Sequence, residues 1–132
     1  MIDMMSPVIE QHFARLKERY PSATLSPLAN GAALITVTKC PLPAWQVPEA
    51  TIRFIAPNGY SVASPDNFWV EPNLYLANQA LPKNSGQNNQ IPEIGIAAHW
   101  FSWHIEGGRW SPNVHDLQTW LALCFKRLQV RE

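Results

Sequence analysis

Residues 98–112 read Ala-His-Trp-Phe-Ser-Trp-His-Ile-Glu-Gly-Gly-Arg-Trp-Ser-Pro. Ser102 stands there with His104 two residues on and His99 three residues before, among the aromatic side chains of Trp100, Phe101, Trp103 and Trp110. A serine hydroxyl is a weak nucleophile until a neighbouring base takes its proton, and imidazole titrates in the right range for that task. In an extended chain, residues at i and i+2 face the same side, which makes His104 the first candidate base for Ser102. Large apolar rings beside proton-carrying groups are the composition of a built pocket. The same residues have plainer readings. Ser102 can be an inert surface hydroxyl, the histidines hydrogen-bonded structural groups, and the tryptophans core or pocket wall. Two histidines without a third ligand do not make a metal site, so none is expected.

The elements that must position this stretch follow from the pattern on either side of it. Residues 1–20 read as an amphipathic helix, with Ser6 as N-cap, Pro7 at the first helical position, and Ile9, Phe13, Leu16 and Tyr20 on one stripe before Pro21 stops it. Residues 32–38 and 51–55 are β-rich, and the first follows an Asn30-Gly31 turn signal. The proline-rich run at 40–48 is expected to exclude a central strand. Another short strand is expected at Phe68-Trp69-Val70, with a possible extension at 74–76. Residues 78–92 are rich in Asn, Gln, Ser, Gly and Pro and read as a long surface loop.

The last element is a helix over about 113–129, in which Leu117, Trp120, Leu121, Cys124 and Leu128 share one face and Ser111 or Asn113 serves as cap. Cys124 falls on that face as a packing residue, and His115 reads as a surface residue. Cys40, among prolines, is the alternative thiol nucleophile. The order predicts one α+β domain over residues 1–132. It consists of an N-terminal helix, an antiparallel meander of three or four strands, a loop-rich crossing that carries Ser102, and a C-terminal helix.

The chain's ten basic and ten acidic residues cancel in 132 residues, which argues against an electrostatic grip on nucleic acid or an anionic membrane. The start has no positively charged, apolar, small-residue series of the secretory kind, and no apolar run of about 18 residues occurs, so a cytoplasmic protein is expected. Its two cysteines then read as free thiols. Nothing implies a cofactor.

Three pieces in this order resemble the ubiquitin-conjugating enzyme fold. The run Pro57-Asn58-Gly59-Tyr60-Ser61-Val62-Ala63-Ser64-Pro65-Asp66 is similar to that family's tyrosine-proline turn, with Ser61 and Ser64 where prolines are usual. Trp110-Ser111-Pro112 opens a leucine-rich helix as the family's tryptophan-serine-proline does. The family's catalytic cysteine stands eight residues before that tryptophan, and here the position is Ser102. The Asp66-Asn67-Phe68-Trp69 strand and the 102–104 segment resemble the bacterial branch known as prokaryotic family E. The resemblance covers about 30–130. No His-Pro-Asn triplet precedes the active position, where Ile91-Pro92-Glu93 stands instead.

The resemblance implies an acyltransferase of a bacterial ubiquitin-like modification pathway. Its partners would be a ubiquitin-like protein, a ThiF-like activating enzyme met by the N-terminal helix, and a protein substrate. Ser102 would accept the ubiquitin-like C-terminus as an oxyester, with His104 or His99 as base or orienter. Oxyanion donors would come from Asn88, Asn89 or the backbone near Gly107-Gly108. The rival expectation is a non-catalytic adaptor of the same fold that binds the ubiquitin-like protein or its activating enzyme.

Overall fold

The computed structural model describes residues 6–103 and 110–132. Its first element is helix α1, Pro7–Arg19, capped by Ser6, whose hydroxyl oxygen accepts the Val8 N–H at 3.3 Å. Ile9 and Leu16 on its inner side are fully buried, joined by His12. Phe13, expected on the same stripe, packs at the margin of the core.

Six strands follow: β1 (Thr24–Pro27), β2 (Ala33–Pro41), β3 (Glu49–Ala56), β4 (Phe68–Glu71), β5 (Ser85–Gln90) and β6 (Ala97–Phe101). They form one antiparallel sheet in the order β1-β2-β3-β4-β6-β5. The helix α2, Leu117–Arg127, closes the chain. The architecture is α+β and of the ubiquitin-conjugating-enzyme type, with six strands where the meander expected from sequence has three or four.

The sheet's helix-covered face holds the main core. Burial alternates strictly along β3, where Ala50, Ile52, Phe54 and Ala56 point inward. They meet Ile35 and Val37 of β2, Phe68 and Val70 of β4, and Phe101 of β6. The α2 face supplies Leu117, Trp120, Leu121 and Cys124, all fully buried. A side chain of this size that loses its burial forfeits roughly 1.5–3 kcal/mol, so this face fixes the position of α2. The opposite face of the sheet carries a smaller cluster of Leu34, Trp69, Ile91 and Ala98.

Three local expectations change. Strand β2 runs on through Cys40 and Pro41, which pair with Ala50 and Glu49 across a register shift after Val37. Its partner β1 reaches only from Ala33 to Thr36, so the far half of β2 is an edge on that side, where a proline's missing N–H costs nothing. The stretch 78–92 is not one loop, because β5 within it pairs with β6. And α2 begins at Leu117, not near Asn113: Asp116 caps it through a reciprocal box in which Asp116 Oδ1 accepts the Thr119 N–H and Thr119 Oγ1 accepts the Asp116 N–H. Among the described residues no helix is long and apolar enough to cross a membrane.

Candidate active site

Ser102 is the first residue after β6, half-buried, at the end of the sheet where the ladder runs out. Its N–H donates to the carbonyl oxygen of Asn84 at 2.8 Å, which extends the β5–β6 pairing by one bond. The next residue is gripped from the other side. The Asn67 N–H donates to the Trp103 carbonyl oxygen at 2.6 Å, and the Trp103 N–H donates to Asn67 Oδ1 at 3.2 Å. Asn84 and Asn67 immediately precede β5 and β4, and both adopt positive φ, 55° and 59°. Asparagine tolerates that left-handed conformation far better than most residues, which suits it to turning the chain just before a strand. Two turn asparagines thus hold the Ser102–Trp103 backbone between them. Sequence reasoning had no signal for either role, because each depends on the strand neighbours that only the folded sheet supplies.

His99 is placed differently. It is fully buried in β6, and an odd offset of three residues puts its side chain on the face opposite to that of Ser102 in an extended strand. The Leu74 N–H donates to His99 Nδ1 at 2.9 Å, so Nδ1 is an acceptor and the neutral ring carries its proton on Nε2. Nε2–H then donates to Ser85 Oγ at 2.9 Å, and Ser85 Oγ donates on to the Pro82 carbonyl at 2.7 Å. Burial, and secondarily the positive charge of Arg127, hold the His99 pKa down at about 4. Its ring stacks on Phe101, which stacks in turn on Phe68. The two nitrogens tie β6 to β5 and to the chain at Leu74, and Ser102 is not among their partners. His104 and the Gly107-Gly108 pair lie outside the described residues. Asn89, an expected oxyanion donor, pairs opposite Ala98, whereas Ser85 at the other end of β5 pairs opposite Phe101 beside Ser102. Asn84 is therefore the β5-side asparagine at Ser102.

The two motif pieces flanking the site are joined in space. Trp110 Nε1–H donates to the Ser61 carbonyl oxygen at 2.7 Å, and its ring lies 6.1 Å from that of Tyr60. Gly59 at the head of this turn has φ +89°, which glycine adopts without strain. Tyr60 is buried and its hydroxyl meets His12 Nδ1 of α1 at 2.7 Å. Burial, with the nearby Asp116 charge, pushes the Tyr60 hydroxyl well above its ordinary pKa, and burial lowers that of His12. His115, expected at the surface, is half-buried: its Nδ1 accepts the Ser111 N–H at 2.9 Å, and its ring packs 5.3 Å from Trp110.

The thiols are remote from this chemistry. Cys40 is buried at the β2 irregularity, where its Sγ–H donates to the Val37 carbonyl oxygen at 3.3 Å, and burial raises its pKa to about 11. Cys124 is fully buried on α2, and that burial raises its pKa well above the ordinary thiol value. Neither is an accessible thiolate near neutral pH.

A sheet flanked by one N-terminal and one C-terminal helix, with a tyrosine turn docked on a tryptophan past the strand end, defines a ubiquitin-conjugating-enzyme-like protein. The profile of Prokaryotic E2 family E matches residues 15–131, and the chain belongs to that family. No curated protein and no solved structure matches it.

Proposed function

We propose that this protein is an acyl carrier of a bacterial ubiquitin-like conjugation pathway, with Ser102 as the acceptor of the ubiquitin-like C-terminus. The observation that carries this reading is the two-sided backbone clamp on Ser102–Trp103, at the open end of β6 and eight residues before Trp110. Membership of the family supports a conjugating role. In the first step Ser102 Oγ attacks the carbonyl carbon of the thioester presented by a ThiF-like activating enzyme. The C–S bond breaks, a C–O bond forms, and the hydroxyl proton leaves by way of a base to the departing thiolate. His104, two residues beyond Ser102, is the base in this proposal. His99 acts indirectly, as the buried post that ties β6 to β5 and to the chain at Leu74. The N-terminal helix is the surface for the activating enzyme.

An oxyester is a poorer acyl donor than a thioester, so passing the group on to a protein substrate needs pocket groups that stabilise the oxyanion. The wiring of His99 favours a second reading: with its nitrogens occupied, a Ser102 lacking a base would leave a non-catalytic adaptor for the ubiquitin-like protein or its activating enzyme.

Reconstitution with a ThiF-like activating enzyme and a ubiquitin-like protein, plus ATP, separates the two. The carrier gives a covalent adduct that resists thiol reductant, is cleaved by hydroxylamine, disappears in Ser102→Ala and becomes reductant-sensitive in Ser102→Cys. Binding without any adduct supports the adaptor.

A further inference from the structure

Ser102 faces the side of the sheet away from the helices. In β6, Ala98 and Trp100 point away from the core that takes Phe101. The Ser102 N–H, bonded to the Asn84 carbonyl as the ladder continues, carries the same alternation one step further. On that face Trp100 stands between Trp69 of β4 and Gly86 of β5, its register partners. Trp69 is buried and Trp100 half-buried, in one cluster with Ile55, Ile91 and Ile94. The last two belong to the connection between β5 and β6, which folds back over the sheet. Ile91 there is fully buried, and the Glu93 carboxylate accepts the Ala29 N–H at 3.1 Å from the connection between β1 and β2. The face is thus closed at one end of β6, and Ser102 stands at the other. With 5 residues in β6, the span between them is about 17 Å of extended chain, at about 3.3 Å per residue.

Polar groups border this apolar floor. Arg53, the register partner of Trp69, forms an ion pair with Glu71, so charge on that side is compensated. On the other side, a Cβ at Gly86 would come within 2.8 Å of Asn89 Nδ2, so the Asn89 carboxamide lies over Gly86 and next to Trp100. One Nδ2 proton goes to the Gln87 carbonyl oxygen at 3.3 Å, while the other proton and Oδ1 have no partner among the described residues. Such a floor with an amide beside it suits an extended peptide, whose alternate side chains take the floor and whose backbone takes the amide.

We propose that this trough holds the C-terminal tail of the ubiquitin-like protein, extended over about its last five residues. The inference rests on the reading of Ser102 as the carrier, because an acyl chain that leaves Ser102 Oγ starts on this face. The terminal residue is small, since the chain at Asn67 and Asn84 flanks Ser102–Trp103 on both sides. Side chains alternate along an extended tail, so the third and fifth from the ester meet Trp100 and Ile94 and are apolar. The Asn89 amide bonds a peptide group between them.

The test has a contact arm and a selectivity arm on the full chain. In the first, p-benzoylphenylalanine is placed at Ile94, or as a control at exposed Val130, in protein whose Ser102 carries the ester, and is irradiated. The expected result is a crosslink from position 94 to the tail and none from position 130. No crosslink from position 94, or one to the globular part alone, overturns the trough while leaving the Ser102 carrier standing. In the second arm, acetyl-Leu-Ala-Leu-Ala-Gly and acetyl-Asp-Ala-Asp-Ala-Gly are titrated into labelled protein, following the Trp100 indole N–H resonance. A saturating shift is expected with the leucine peptide, at least about tenfold weaker with the aspartate peptide. In Asn89→Ala, a change to an exposed side chain, the leucine peptide is expected to bind about fivefold more weakly. Equal affinities for the two peptides overturn the apolar track, and undiminished affinity in Asn89→Ala overturns the part given to Asn89. Failure of wild-type protein to form the ester overturns the carrier reading itself and this inference with it.

Discussion

His99 is held neutral by where its two nitrogens point. An N–H aimed at Nδ1 and a hydroxyl at Nε2 suit the uncharged ring, and the burial that keeps its pKa at about 4 opposes protonation. The unfolded chain takes up that proton near 6.5, the ordinary value, while the folded chain resists it until about 4. The folded-state pKa is depressed, so the stabilising contribution is complete above 6.5 and is lost as pH falls through that window. At roughly 1.4 kcal/mol per unit the loss is on the order of 3 kcal/mol, and His12, also lowered, adds in the same direction. Urea denaturation at fixed ionic strength is expected to show a falling midpoint from pH 6.5 to 5, with a shallower fall in His99→Phe despite its lower overall stability. A profile as steep in the variant as in the wild type contradicts the assignment. The two clamping asparagines belong to this scale too. Ser102 could be located by counting back from Trp110, but Asn67 and Asn84 could not, because their roles arise from positive φ beside strands distant in sequence.

At the scale of elements, the helices were the most readable part of the chain, and their ends show what the pattern misses. The Ser6–Pro7 start of α1 is stated by the residues themselves. The apolar stripe of α2 is equally plain, yet Ser111 and Asn113 lose the cap to Asp116, because residues 111–115 close a turn of their own through His115 Nδ1. Removing that cap in Asp116→Ala is expected to cost about 1 kcal/mol and lower Tm by about 3–6 °C in thermal unfolding followed by circular dichroism. An unchanged Tm contradicts the capping box. Strand β5 was illegible for a different reason. Ser-Gly-Gln-Asn-Asn-Gln has no apolar alternation, and an edge strand paired on one side through its backbone does not require any. The four-residue β1 escapes for another reason, its shortness.

At the scale of the whole molecule, three distant segments meet around one tyrosine. His12 of α1, the turn at Tyr60 and the Trp110 segment join through two hydrogen bonds of 2.7 Å, and this ties the start of the chain to the region after Ser102. The family resemblance rests on the same turn and tryptophan, so the motifs that identify the fold also hold it together there. The buried cysteines sit inside that frame as packing groups, which leaves the hydroxyl of Ser102 as the proposed nucleophile. The most direct measurement is mass-spectrometric localisation of the acyl group in the adduct formed with activating enzyme, ubiquitin-like protein and ATP, after acid quench and proteolysis. The predicted result is a C-terminal remnant of the ubiquitin-like protein on Ser102 as a hydroxylamine-labile ester. A remnant on Cys40, on Ser85 or on a lysine, with Ser102 unmodified, would contradict it.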